Sequence, residues 1–315
     1  MSDRSGPGTI RGLRQLTTSE GRVAAVAVDQ RQALRSMLEQ AGAPADAAAL
    51  RRFKVAVATV LGEIAPALLV DPQYGLPAVS AASTVPARLP LMVAIEESGT
   101  VPFHGGKRSL ELAGWSPAQA RAAGACAAKL LVYVRPDHGP SFAAARAVMA
   151  SARAGCRRAD LPFVLEILPY RLDDEDEAEY RAAFGRHQIA IAEVGAELEP
   201  DLLKLAWPGP LGELEPDPGA LARLADLGTP WALLSAGAAF ETFADRVLRA
   251  LDEGGAVGFI AGRALWQEAV GADDVEAALA RGARPRLEAL LTSIVGRGRA
   301  LTLPAAPEHD DWFCR

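Results

Sequence analysis

Residues 22–34 read RVAAVAVDQRQAL, and the reading of this stretch decides the fold. Val23 to Val28 are apolar without a break, and Asp29, Gln30 and Arg31 follow at once. A short run that is apolar at every position is a strand buried on both faces, as in parallel sheets. A doubly wound open sheet would place a glycine-rich phosphate loop directly after its first strand, but VDQRQAL holds no glycine. Seven more apolar runs follow: ALLVD (67–71), LPLMVAIEES (89–98), AAKLLVYV (127–134), PFVLEILPY (162–170), LLKLAWP (202–208), PWALLSAG (230–237) and AVGFIAGR (256–263). Helical patterns lie between them, with two, at 31–40 and 46–61, before the second run. Eight β/α units in 315 residues predict the α/β class, as a single (β/α)8 TIM barrel of parallel strands over residues 21–300. Residues 1–20 are expected to cover the barrel bottom or lie on the surface. The tail 301–315 is expected to pack on the body or on a neighbouring subunit.

Composition narrows the function. Half of the residues are apolar and 23% are charged, which suits a globular chain and excludes disorder. A net charge of −6 argues against a dedicated nucleic-acid or anionic-membrane binder. No apolar run approaches the roughly 20 residues that span a bilayer. The N-terminus lacks the apolar core of an export signal. Three widely spaced cysteines, Cys126, Cys156 and Cys314, point to a reducing compartment, and a cytoplasmic location is expected.

Of the 33 basic residues only four are lysines: Lys54, Lys107, Lys129 and Lys204. In so arginine-rich a chain, a retained lysine draws notice, because a guanidinium is always protonated whereas an amine can act as a nucleophile. Lys204 is the only charged residue in LLKLAWP, and strand alternation sets it on one face with Leu202 and Ala206. A lone lysine there is costly to bury as a cation, and a neutral amine is what Schiff-base chemistry requires. Lys129 sits similarly in AAKLLVYV, and Glu166, in FVLEILPY, lies on the strand between them in sequence order. The glutamate suits an ion partner for Lys129 and a proton shuttle for Lys204. A buried structural salt bridge is the plain alternative for the trio.

The loops after strands seven and eight of a barrel often hold phosphate, through backbone N–H groups. Here they carry Ser235, Gly237, Gly262 and Arg263. The glycines permit close backbone approach, and the arginine adds a bidentate clamp. No metal is expected: His104, His138, His187 and His309 lie far apart, without ligand spacing. The segment VPFHGGKRS around His104 reads as a flexible loop. The acidic run DDEDEAE at 173–179 reads as a solvated helix start.

At these residues the chain resembles the class I aldolases that include tagatose-1,6-bisphosphate aldolase and 6-deoxy-6-sulfofructose-1-phosphate aldolase. The segments AVDQRQALRSML, FKVAVATVL, LLVDPQYGLPA, AAKLLVYVRPD, LPFVLEILPY, LLKLAWP, LLSAG and GFIAGRALW carry the resemblance, from about residue 20 to residue 270. It implies a metal-independent barrel lyase of carbohydrate metabolism, with no cofactor. By resemblance, Lys204 is the Schiff-base lysine, Glu166 the acid/base and Lys129 the accompanying lysine. Asp29, Gln30, Arg31 and Lys54 form the cluster that meets substrate, and Ser235, Gly237, Gly262 and Arg263 grip its anionic end. One departure stands out: LAWP replaces a Val-Glu type sequence before the proline, and Trp207 is expected to reshape a wall of the site.

The implied reaction cleaves a small phosphorylated ketose to dihydroxyacetone phosphate and an aldehyde. A tagatose 1,6-bisphosphate type substrate leads, with a sulfonated sugar phosphate, giving 3-sulfolactaldehyde, as the alternative. A phosphosugar isomerase or epimerase, using a carboxylate base on the same barrel, and a non-catalytic sugar-phosphate sensor are the competing readings. Neither a nucleic acid nor a membrane is an expected partner, and a homo-oligomer is expected.

Overall fold

A computed structural model describes residues 6–305. Among these, eight parallel strands close into a barrel: β1 (Val23–Ala27), β2 (Ala67–Val70), β3 (Leu91–Ala94), β6 (Ala127–Tyr133), β7 (Phe163–Leu168), β8 (Leu202–Leu205), β9 (Trp231–Leu234) and β10 (Gly258–Ala261). The numbering leaves β4 (Val101–Phe103) and β5 (Gly106–Arg108) for a small hairpin outside the barrel. Each barrel strand falls inside one of the eight apolar runs. The ring closes where β1 pairs with β10, Val23 opposite Gly258. The seam demands glycine there. Gly258 has φ +148°, and a Cβ on it would lie 1.8 Å from the Val23 carbonyl oxygen.

Helices return the chain between strands. After β1 come α2 (Gln32–Gln40) and α3 (Ala47–Leu61), close to the predicted pair. Asp46 caps α3 by accepting the Ala49 N–H at 2.7 Å. Further round lie α4 (Gly75–Ala81), α5 (Pro117–Ala122), α6 (Gly139–Arg158), α7 (Glu177–Ala196), α8 (Ala220–Ala225) and α9 (Phe240–Asp252). The acidic run contains the α7 N-cap Asp176, as a helix start should, but Glu175 instead turns inward to the buried Arg135 at 2.6 Å. After β10 come α10 (Arg263–Trp266), a 3-10 turn, α11 (Val275–Arg281) and α12 (Ala283–Ser293). The Trp266 indole N–H, bonded to the Ala27 carbonyl at 2.8 Å, ties α10 back to β1.

Strand alternation divides the buried residues into two layers. Outward-facing Val26, Leu68, Val93, Leu130, Leu165, Leu203, Leu233 and Phe259 pack against the helices. Inward-facing Val23, Ala25, Ala67, Met92, Ala127, Val164, Leu202 and Ala232 fill the lower barrel. A first helix, α1 (Pro7–Gln15), sets Leu13 against this inner cluster, beside Leu16 and Leu301. With the lower barrel plugged by apolar side chains, polar groups are left to the carboxyl ends of the strands. Positions 306–315 of the expected tail lie outside the described residues. Among the described residues no helix is long and apolar enough to cross a membrane.

Candidate active site

Alternation carries the inner face of each strand from apolar to ionisable as it rises. On β6 the face runs Ala127, Lys129; on β7, Val164, Glu166; on β8, Leu202, Lys204. Glu166 and Lys204 are directly opposed across the β7–β8 pair. The Lys204 Nζ donates to Glu166 Oε2 at 2.8 Å, and the Lys129 Nζ reaches the same oxygen at 3.1 Å. Lys129 also contacts Asp29 Oδ2 and Glu96 Oε1, each at 2.6 Å. Five ionisable groups, three on strands β6, β7 and β8 and two just past β1 and β3, thus form one buried cluster.

The two lysines are not equivalent. Burial opposes a charge on Lys129, but Asp29, Glu96 and Glu166 outweigh it and raise its pKa well above the ordinary value. Lys129 is therefore a fixed cation with three carboxylates around three ammonium protons. Lys204 has a single carboxylate contact among the described residues. Burial would raise the Glu166 pKa; Lys204 and Lys129 reverse this and hold it below the ordinary value. Asp29 likewise overcomes burial through Lys129 and Lys204 and lies well below the carboxylate range. Glu96 goes the other way, because burial and the nearby Asp29 and Glu166 exceed the help of Lys129. Asp29 Oδ1 is buried without a hydrogen-bond partner among the described residues. Such an orphaned acceptor is costly unless a ligand answers it.

Above Lys204 opens a cavity of about 220 Å³, lined among others by Gln30, Glu166, Leu168, Ser235, Gly262 and Arg263. Ser235 Oγ accepts the Gly262 N–H at 3.3 Å, joining the ends of β9 and β10. Gly237 has φ +80° and lies under Arg263, whose Cζ would be 3.1 Å from an added Cβ. The Arg263 guanidinium has no carboxylate partner among the described residues. Ser235, Gly237, Gly262 and Arg263 are thus brought together at one wall. Gln30 lines the same cavity, and its Oε1 is buried without a partner among the described residues. A larger groove, about 1060 Å³, runs between α2, α3 and residues 271–276, but none of the strand-borne lysines reaches it. Volume alone does not locate the chemistry.

Other predicted residues fall elsewhere. Lys54, on α3, is fully buried: its Nζ binds the carbonyls of Val28 and Gln30 and the Asp71 carboxylate at 2.9 Å. With three acceptors for three protons it anchors the end of β1 and leaves nothing for a substrate. Arg31 is also turned inward, donating to the Glu96 carbonyl at 2.6 Å and to Gln73 Oε1 at 3.1 Å, so it braces β1 against β2 and β3. Trp207 reshapes no wall. It points outward from the barrel, buried in the helix-side core, with the Arg246 and Arg249 Cζ each 5.7 Å from its ring centroid. The segment around His104 is the β4–β5 hairpin, docked where the Lys107 N–H donates to the Tyr170 hydroxyl at 3.1 Å. Glu96 is the member of the cluster that the sequence reading left out. Alternation from Met92 and Ala94 places it inward and Glu97 outward, a signal available before the structure.

Among the described residues no group of three or more His, Cys, Asp or Glu is placed to hold a metal ion.

Comparison with known proteins agrees with this construction. Residues 23–268 match the DeoC/LacD family aldolase profile. Tagatose 1,6-diphosphate aldolase 2 of Enterococcus faecalis is 30% identical over 284 residues, 84% of each chain. A tagatose 1,6-diphosphate aldolase of Staphylococcus aureus is 30% identical over 283 residues, covering 83% of this chain and 85% of that protein. Among solved structures, an archaeal fructose 1,6-bisphosphate aldolase aligns with a TM-score of 0.60 at 18% identity, over 91% of this chain and 99% of the other. A fructose-bisphosphate aldolase from Plasmodium falciparum aligns at 0.69 and 13% identity, over 95% and 99%. These two likenesses speak to the barrel alone. The profile match over most of the barrel, with curated relatives at about 30% identity, establishes that the chain belongs to the DeoC/LacD aldolase family and is a carbon–carbon lyase.

Proposed function

We propose that the protein is a Schiff-base aldolase that cleaves a ketose 1-phosphate of the tagatose 1,6-bisphosphate type to dihydroxyacetone phosphate and an aldehyde. The observation that carries this reading is the inequality of the two buried lysines. Lys129 is saturated by carboxylates, whereas Lys204 faces the cavity with one carboxylate at 2.8 Å. Lys204 gives a proton to Glu166 and attacks the C2 ketone. Glu166 returns the proton as water leaves, forming the iminium. The iminium draws in the C3–C4 electron pair when the C4 hydroxyl loses its proton to the Glu166 carboxylate. The aldehyde departs, the enamine is protonated, and hydrolysis frees Lys204. Curated relatives that carry the tagatose 1,6-diphosphate aldolase name at about 30% identity support the substrate type. Side-by-side turnover of tagatose 1,6-bisphosphate, fructose 1,6-bisphosphate and 6-deoxy-6-sulfofructose 1-phosphate tests it. The highest kcat/KM is expected for tagatose 1,6-bisphosphate, and a preference for the sulfosugar reassigns the substrate.

Arg263 serves binding. Arg263→Ala removes a charge-assisted hydrogen bond worth about 1.5–3 kcal/mol, so kcat/KM is expected to fall by roughly 10- to 150-fold. Arg263→Lys recovers part of this, since a point charge lacks the planar fork. Wild-type kinetics in Arg263→Ala would place the anion elsewhere, with Lys107 and Arg108 of the hairpin next in line.

Activity is expected to survive EDTA. The Lys129 ammonium already occupies the space between Asp29, Glu96 and Glu166 that a divalent ion would need. Loss of activity on EDTA treatment that zinc restores would contradict this.

A further inference from the structure

Tyr133 ends β6, and its place in the barrel lattice gives it more than a packing role. Alternation along β6 carries Lys129, Leu131 and Tyr133 to the interior. The register is explicit: Leu131 is opposite Glu166, Glu166 is opposite Lys204, and Tyr133 is opposite Leu168. Leu168 lines the cavity above Lys204. Tyr133 therefore stands two residues, about 6.6 Å at strand rise, above the Glu166–Lys204 layer and toward the mouth. Its backbone N–H is held by Ser109 Oγ at 3.0 Å, which fixes the end of the strand. Its side chain is half-buried, and the hydroxyl has no hydrogen-bond partner among the described residues. The charged groups that act on it are Glu166, Lys129, Arg263 and Glu96, which belong to both walls of the site. Tyr170, by contrast, spends its hydroxyl on the hairpin backbone.

We propose that Tyr133 is a further catalytic residue, whose phenol donates a hydrogen bond to the oxygen on the carbon that leaves as the aldehyde. The inference rests on the Schiff-base reading above. With the anionic end at Arg263 and C2 bonded to Lys204, the enamine carbon stays in the Glu166 layer. The departing carbon and its oxygen extend beyond it, toward the mouth where Tyr133 stands. During cleavage the C4 hydroxyl proton passes to a carboxylate, the O–H pair becomes the carbonyl bond, and the C3–C4 pair enters the enamine. Negative charge grows on that oxygen as the proton leaves, and a donor placed beside it stabilises the transition state more than the ground state. The phenol keeps its own proton throughout. Burial, assisted by Glu166, raises its pKa above the ordinary value and keeps it a donor at neutral pH.

The test is Tyr133→Phe, read in two reactions. One is steady-state cleavage of tagatose 1,6-bisphosphate. The other is exchange of the C3 hydrogen of dihydroxyacetone phosphate with D2O, which needs the imine and enamine but no C4 oxygen. Cleavage kcat is expected to fall on the order of 10- to 100-fold, with KM changed less than about threefold and exchange within about twofold of wild type. Unchanged kcat overturns the proposal. A parallel loss of exchange also overturns it, because the phenol would then serve the enamine carbon or the fold of the site. Absence of exchange in the wild-type protein would instead overturn the Schiff-base reading itself, and the Tyr133 role with it.

Discussion

Lys204→Met loses cleavage activity by on the order of 10^4-fold or more, while the protein stays folded. The loss follows from removing the one lysine placed to form the imine: Lys54 and Lys129 are each surrounded by three acceptors, and Lys107 lies on the β4–β5 hairpin. Removal of a covalent nucleophile leaves only the rate supplied by binding and electrostatics. Stability is spared because Glu166 keeps Lys129 at 3.1 Å when Lys204 is gone, so no carboxylate is stranded. A stability loss within about 1 kcal/mol is expected, since an apolar side chain of similar length replaces a costly buried cation. Lys204→Arg fails equally in catalysis, because a guanidinium does not give up its proton. Steady-state kinetics with denaturant unfolding of the same samples checks both halves. Residual activity above about 1% of wild type in either variant would mean that another group forms the imine.

Lys129→Met reverses the balance and unfolds more readily. Lys129 is the counterion of Asp29, Glu96 and Glu166 at once. Its removal leaves buried carboxylates sharing one remaining ammonium, and stranding a buried charge costs about 3–5 kcal/mol. The penalty depends on pH with a definite sign. In the wild type, Asp29 and Glu166 have folded pKa values below the ordinary carboxylate range, so they contribute stability above the unfolded pKa and lose it only as pH falls through the folded value. Without Lys129, burial dominates and pushes these carboxyls upward, so the variant regains stability as they protonate. The gap between variant and wild type is therefore expected to narrow as the pH is lowered from 7 toward 4. Urea unfolding at several pH values measures it. A gap below about 1 kcal/mol at pH 7, or one that widens on acidification, would show that Lys129 is not the counterion described here.

The barrel was legible because its strands are nearly continuously apolar, so each of the eight runs stood out, and Asp29–Arg31 after the first one held no glycine loop. Alternation sorts Lys129, Glu166 and Lys204 to one interior, and the structure brings both lysines to the same Glu166 oxygen. The same rule, carried one strand further, separates Glu96 from Glu97 and sets Trp207 on the outside. What escaped was whatever depends on partners distant in sequence. Lys54 shares the buried face of α3 with Leu50, Phe53 and Val57, and only the fold reveals that Asp71 and the carbonyls of Val28 and Gln30 absorb its charge. Arg31 follows a catalytic-looking dipeptide, yet its carbonyl partner is on Glu96, 65 residues away. The β4–β5 strands are three residues each, too short for periodicity to register, and are held by Tyr170 and by His138, whose Nε2 lies 3.0 Å from the His104 carbonyl.

The claim on which everything else depends is that one lysine, Lys204, becomes covalently bonded to the substrate carbon. Borohydride reduction of the wild-type protein in the presence of dihydroxyacetone phosphate, followed by peptide mapping by mass spectrometry, addresses it directly. A single modified peptide is expected, with the adduct on Lys204, and none in Lys204→Met. An adduct on Lys129, or no adduct while cleavage proceeds, would contradict it.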